Sequence, residues 1–485
     1  MKLEQILVCV AFVTLLSGVL AQTTPRAQAK LTSVPGYKGT LNYDNYAGYI
    51  AINEITNKSM YYWFVTSQND PANDPVILWL QGGPGCSDFG AGFLQENGPF
   101  LPYIIDANTQ TVGLVDNFYS WNRQANMIFV DSPVGVGFSY SDDPADYHTN
   151  DNMTALDTSI FLSKFFDMYN EFSTNPFWIT GESYGGMYVP TLAYEIITNS
   201  SYMQIASNLK QGGLMLGNPV TGCEGAAFGG EDDILFMNTQ VNLYYWHAMI
   251  SRRKYDEWNR YGCNTAKPSS VSVCSVIYAE INAQKGFLHQ PLMQRTELDS
   301  LTRSTSLAAV EEASINPDCL YYSFCTGNAT LKFTVVRDPD CFNIDKQIAA
   351  YLNDPAVQAG INAKPTKWQA CGGVEYKRVV GSLMPYLEDL FKMAPTMRVL
   401  YYAGDIDIAT VPFAGTQRCL ETLNRPIVSE WRPWIINNEI AGYVEVYDKY
   451  TFATVKAAGH EALAYQPAST YALFTAFLNN AELPK

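Results

Sequence analysis

Gly181-Glu182-Ser183-Tyr184-Gly185-Gly186 places a serine among glycines directly after the apolar run Phe177-Trp178-Ile179-Thr180. A strand feeding G-x-S-x-G makes a sharp strand-to-helix turn. The small flanking residues leave the serine Oγ exposed at the carboxyl end of a sheet. Met187 to Thr198 supplies the helix that such a turn feeds. The chemistry is nucleophilic attack by a hydroxyl. A free hydroxyl is a weak nucleophile, so a base must take its proton and a third group must orient that base.

Four histidines are candidates for the base: His148, His247, His289 and His460. His460 follows a strand-like stretch and ends the small-residue turn Ala457-Ala458-Gly459-His460, which suits an imidazole reaching a serine from a loop. His148 and His289 sit in polar or mixed sequence and read as surface residues. His247 lies in an aromatic, helix-like run and reads as packed. The orienting acid should follow a late strand. Arg398 to Ala403 is such a strand, and it runs into Gly404-Asp405-Ile406-Asp407, where either aspartate could orient His460.

Short, wholly apolar segments must position these groups. They are Val76 to Leu80, Met127 to Val130, Phe177 to Ile179, Gly213 to Leu216 and Arg398 to Tyr402, preceded by Tyr49 to Ile52 and Tyr61 to Val65. Continuous apolar runs suit parallel strands buried on both faces. Helical patterns such as Ala155 to Phe172 alternate with them, which predicts an α/β fold. The order serine, acid, histidine is that of the α/β-hydrolases.

The chain has 485 residues, which suggests a large domain with an insertion, or two domains. We expect core segments 22–217 and 343–485, and an inserted cap over 218–342, where six cysteines interrupt the alternation. Residues 1–21 read as a signal peptide: Lys2, an apolar run from Ile6 to Leu20, and small residues at Val19-Leu20-Ala21 for cleavage after Ala21. The apolar run is short for a bilayer span, so no stable membrane anchor is expected. A net charge of −16 with no basic stripe argues against a nucleic-acid partner. That charge fits work in acid, where protonation relieves self-repulsion, and it also serves solubility.

Cysteine usage agrees with secretion. Ten are present, and Cys9 lies in the leader, which leaves nine. Cys263 and Cys274, and Cys319 and Cys325, are close enough for local loops. The cysteines and histidines lack paired zinc-ligand spacings, so neither a metal nor a cofactor is expected. Sequons at Asn57, Asn152, Asn199 and Asn328 are candidate glycosylation sites.

Four motifs together resemble the serine carboxypeptidases. They are Leu78-Trp79-Leu80-Gln81-Gly82-Gly83-Pro84-Gly85-Cys86-Ser87; Trp121-Asn122 through Val130-Asp131-Ser132-Pro133-Val134-Gly135-Val136-Gly137-Phe138-Ser139-Tyr140; Gly181 to Gly186; and the pairing of Gly404 to Asp407 with Gly459-His460. A glutamate directly before the nucleophile is more specific than G-x-S-x-G alone. The resemblance implies that Ser183 is the nucleophile, His460 the base and Asp407 the orienting acid, with Asp405 bracing the loop. It implies an oxyanion hole from the backbone N–H groups of Gly83 and Tyr184. It also implies a receptor for the substrate carboxylate at Gln81, Gly82, Glu96 and Glu182. Two carboxyls in a dry site share a proton and can donate to that carboxylate, so activity should favour acid. A disulfide between Cys86 and Cys371 is implied as well.

The chain departs from the family in two places. Gln81 replaces the commoner asparagine, and Glu461-Ala462-Leu463 replaces Met-Val-Pro after the histidine. Glu461 would set another carboxyl beside His460, and if buried it would raise the pKa of the base. The implied substrates are peptide or protein C-termini. A homodimer is compatible with the resemblance, and extracellular or lysosomal residence is expected. Two alternatives stand beside this reading: a catalytically silent secreted binding or protective glycoprotein, and an esterase or acyltransferase on the same scaffold.

Overall fold

The computed structural model describes residues 23–106, 111–222, 233–265, 270–285, 344–408 and 410–485. The leader 1–21, the Cys319 and Cys325 pair, His289 and Asn328 lie outside the described residues.

One sheet of eleven strands organises the chain. Numbered along the chain, its strands are β1 (Lys30–Leu31), β2 (Asn45–Asn53), β3 (Lys58–Val65), β4 (Val76–Leu80), β5 (Asn126–Val130), β6 (Phe177–Glu182), β7 (Gly213–Gly217), β8 (Arg398–Gly404), β9 (Ile427–Ile436), β10 (Glu439–Tyr447) and β11 (Thr451–Val455). Their spatial order is β1-β2-β3-β5-β4-β6-β7-β8-β11-β10-β9. From β5 through β11 the neighbours are parallel. The strands at either flank are antiparallel.

The period of two explains why wholly apolar strands were required. On β4, Val76, Leu78 and Leu80 enter one core cluster, and Ile77 and Trp79 enter the other. On β3, Met60, Tyr62 and Phe64 face the first cluster, and Tyr61, Trp63 and Val65 face the second. Helices cover both faces. Asp151–Met168 and Gly185–Thr198 pack on the first through Phe161, Phe165, Val189 and Leu192. Pro467–Leu478 packs on the second through Leu473 and Phe474.

The hairpin of β9 and β10 was not anticipated. Its strands are exposed along much of their length, so they lack a continuous apolar run. Asn437 and Asn438, at φ 50° and 64°, make the turn between them, and such paired asparagines are its one local signal.

Three helices, Asp233–Trp246, Arg252–Arg260 and Val271–Lys285, fall within the span expected to form a cap. They share a core of their own, including Val241, Tyr244, Trp258, Ile277 and Ile281, beside a Cys263–Cys274 disulfide. That cluster takes in Ile408, one residue beyond Asp407.

Two buried aspartates hold the glycine-rich loops in place. Asp88 accepts from the N–H groups of Gln81 at 2.7 Å and Val130 at 2.9 Å. Asp131 accepts from Ser87 Oγ at 2.6 Å and from the Phe138 N–H at 2.8 Å. Cys86 is bonded to Cys371, and backbone bonds from Ser87 N to Ala370 O and from Gly372 N to Gly85 O flank the link. The motif around Pro84 is thereby tied to the final third of the chain.

Burial pushes the Asp131 carboxyl up to about 7, against the pull of its hydrogen bonds. The folded state therefore holds a proton that the unfolded chain releases near pH 4. This contribution is fully present below about pH 4 and is lost as pH rises through about 7, an effect of roughly 2–4 kcal/mol. Urea midpoints at about pH 5 and 7.5 should differ more for wild type than for Asp131→Asn. Equal differences would show that Asp131 does not carry the effect.

Candidate active site

The candidate residues gather at the carboxyl ends of the parallel strands, where open α/β sheets place their ligands. Gln81, Gly82 and Gly83 follow β4, Ser183 follows β6, Asn218 follows β7, Asp407 follows β8, and His460 follows β11.

Ser183 occupies the left-handed region at φ 59°. Its N–H donates to Gly217 O at 3.0 Å, and its carbonyl accepts from Gly186 N and Val220 N, both at 2.9 Å. The elbow is tight: a Cβ on Gly181 or on Gly185 would stand 2.6 Å from Leu80 O. Glycine is required at both positions so that β6 and the following helix can close on the end of β4. Gly82 is equally near, since a Cβ there would lie 2.5 Å from the backbone nitrogen of Tyr184. The glycine-rich loop and the residue after Ser183 are therefore neighbours. The Tyr184 side chain turns away and donates to Asp151 Oδ1 at 2.8 Å.

His460 and Asp407 meet directly, Nδ1 to Oδ2, at 2.7 Å. Asp407 is fully buried and accepts three further bonds at 3.0 Å, from Asn218 Nδ2, Thr410 N and Val411 N. This set of donors holds the carboxylate in one orientation under the imidazole. Asp405 accepts from Ala457 N at 2.7 Å and fixes the loop that carries His460. The two aspartates left open by the sequence thus stand in different places, and only Asp407 bonds the histidine. Among the other described histidines, His148 is exposed and pairs with Glu375 at 2.9 Å. His247 is half-buried, with Nδ1 2.8 Å from Leu243 O.

Beside the serine lies a dry polar cluster. Glu182 and Glu96 are both almost wholly buried, and Glu96 ends a short turn, Gly92–Glu96. At that burial Glu96 is not a solvated loop carboxylate. Gln81 joins them in a defined orientation. Its Oε1 accepts from the Trp79 indole N–H at 3.0 Å, so its Nε2 faces Glu182 Oε1 at 3.2 Å. The longer glutamine stem is accommodated by this indole contact. Glu461 is half-buried, and its Oε2 accepts from Gln95 Nε2. Burial, then the charges of Glu96 and Glu461, push the Glu182 carboxyl well above the usual range, while Gln81 pulls the other way. A carboxyl that keeps its proton is a hydrogen-bond donor.

The candidate glycosylation sites differ in access. Asn57 is buried, and its Nδ2 donates to Asp142 at 2.9 Å, so that nitrogen is not presented for modification. Asn152 is exposed, and Asn199 is half-buried, with Nδ2 bonded to Glu195.

Asn218 was not foreseen. Its Oδ1 accepts from Gly404 N at 3.0 Å while its Nδ2 donates to Asp407, and its neighbour Gly217 receives the Ser183 N–H. It links the serine turn to the acid loop. In the sequence, Asn218-Pro219 reads only as a turn. Because Asn218 sits at φ 39°, Asn218→Gly keeps the backbone and removes the amide. Loss of one bond to a charged acceptor should lower kcat about tenfold or more with little change in KM. Steady-state kinetics check this, and an unchanged kcat would rule out the linking role.

The serine carboxypeptidase family model matches residues 35–480. Serine carboxypeptidase-like 21 of Arabidopsis thaliana is 34% identical over 492 residues, covering 95% of each chain. Serine carboxypeptidase 1 of Hordeum vulgare is 33% identical over 497 residues, covering 94% of this chain and 93% of that one. A prohormone-processing carboxypeptidase from Saccharomyces cerevisiae shares the fold with a TM-score of 0.68 at 18% identity, over 94% of this chain and 97% of that one. With the family model and two full-length relatives in agreement over the same elements, the chain belongs to the serine carboxypeptidase family.

Proposed function

We propose that this chain releases C-terminal amino acids from peptides and proteins in acid, through an acyl-enzyme on Ser183. The buried pair Glu182 and Glu96, with Gln81 beside it, is the observation that carries the reading. A receptor for a free carboxylate next to an elbow serine has a use in an exopeptidase and none in a general esterase.

In this reading Ser183 Oγ bonds to the carbonyl carbon of the last peptide bond, and its proton passes to His460. Negative charge collects on the carbonyl oxygen, facing the backbone N–H groups of Gly83 and Tyr184. Collapse breaks the C–N bond, and His460 returns the proton to the departing amine. Water then attacks the acyl ester with His460 again as base, and Ser183 regains its proton as the acid product leaves. Asp407 holds the imidazole in the tautomer that these transfers need. Glu182, protonated, donates to the substrate carboxylate, with Gln81 Nε2 and the Gly82 backbone beside it.

The segment 218–342 serves as a cap over the strand ends. The close approach of its helices to Ile408 supports that placement. Residues 1–21 direct the chain into the secretory pathway, toward extracellular or lysosomal residence, with Asn152 and Asn199 as candidate glycan acceptors, Asn152 being the exposed one. The disulfides at Cys86–Cys371 and Cys263–Cys274 agree with an oxidising route.

Amino-acid release from a blocked dipeptide tests the reading. Release should be faster at about pH 5 than at about pH 7.5, because a carboxyl that loses its proton stops donating and repels the substrate carboxylate. It should vanish in Ser183→Ala and weaken when the substrate C-terminus is amidated. Glu182→Gln should raise KM for the free acid by about tenfold or more in acid. Indifference to amidation would favour the esterase. Failure of an organophosphate to label Ser183 in folded protein would favour the silent glycoprotein.

A further inference from the structure

Glu182, Gly217 and Tyr402 lie in one row across three neighbouring parallel strands. Gly217 on β7 is in register with Glu182 on β6 and with Tyr402 on β8. Trp178, Met215 and Tyr402 belong to one core cluster, so by the period of two Glu182 and Gly217 share their face. Gly217, in the middle of the row, has no side chain. The tyrosine fills that gap: a Cβ on Gly217 would stand 2.5 Å from the Tyr402 hydroxyl oxygen and 2.6 Å from its Cζ. The hydroxyl therefore crosses the bare backbone of β7 toward the carboxyl pair.

Tyr402 is 3% exposed, and among the described residues its hydroxyl has no direct hydrogen-bond partner. Glu182 Oε2 is likewise buried without one. A buried tyrosine hydroxyl ordinarily finds a partner. The charges that bear on it are those of Glu182 and Glu96, and with burial they hold it neutral far beyond the working pH. A neutral phenol facing a carboxylate turns its hydrogen toward it, through space or across one bridging water.

We propose that Tyr402 is a positioning residue whose hydroxyl, reaching across Gly217, stabilises the ionised form of the Glu182 and Glu96 pair and so sets the upper pH limit of exopeptidase action. The inference rests on the proposed role of that pair in binding the substrate carboxylate. Among the described residues, the charge of Glu461, from the loop after β11, bears on Glu182, and that of Glu96 bears on Asp88. Both oppose ionisation. Gln81 favours ionisation of Glu182, and Tyr402 is a second neutral donor on that side. In this proposal Tyr402 acts through the pair and not on the substrate.

The sign follows directly. Removing a donor to the ionised form makes the pair keep its proton to higher pH. In Tyr402→Phe the alkaline fall of kcat/KM for a blocked dipeptide with a free C-terminus should move up by about 0.5–1 pH unit. The profile for the same dipeptide as its amide should not move, because it makes no call on the pair. Gly217→Ala should push the hydroxyl aside and shift the limb the same way. The double variant should shift it less than the sum of the two, because the added methyl meets a ring that has lost its oxygen. A Tyr402→Phe profile that overlays the wild type, or one that shifts equally for acid and amide, overturns the proposal. A wild-type enzyme that does not distinguish acid from amide overturns the carboxylate-binding reading itself, and the Tyr402 role with it.

Discussion

The backbone bend at Ser183 is the constraint around which the site is built. A non-glycine residue at φ 59° is strained, and the strain is offset by three backbone bonds, one from the serine N–H and two to its carbonyl. Two of those bonds run to Gly217 and Val220, on either side of Asn218. The same short segment therefore fixes the serine and, through Asn218, the carboxylate that orients His460. The approach of Leu80 O to Gly181 and Gly185 brings the end of β4 against the elbow. Serine turn, aspartate loop and glycine-rich loop are set by one local geometry.

Buried carboxyls form a second theme. Asp88, Asp131 and Glu182 lie in dry surroundings, and burial is the largest cause raising each of them. Asp88 and Asp131 brace the loops that flank the serine, and Glu182 adjoins it. Acid therefore favours the fold and the proposed substrate receptor for the same physical reason. An excess of acidic residues over the whole chain, with a net charge of −16, points in the same direction.

Much of this was legible in the sequence because it rests on residue types with narrow uses. Glycine at 181 and 185, apolar runs at Val76 to Leu80 and Phe177 to Ile179, and the late Gly459-His460 each allow few readings. The choice between Asp405 and Asp407 was not available from spacing alone, since both follow the same strand. The resemblance points to Asp407, and the bonds send Asp405 to the Ala457 N–H and Asp407 to the imidazole. Asn218 and Tyr402 escaped for another reason. Each acts through neighbours distant in sequence, and each looks locally like an ordinary turn or strand residue. The β9 and β10 hairpin escaped because its exposed faces dilute the apolar pattern on which strand assignment depends.

The bond between Cys86 and Cys371 spans 285 residues of sequence. Topologically it closes most of the chain into a covalent ring, with Ser183 on the ring and Asp407 and His460 on the tail that leaves it. A ring cut once remains one molecule. A single peptide cleavage anywhere between those two cysteines would thus leave a two-chain protein whose parts separate only on reduction, with Ser183 and His460 still joined by covalent bonds.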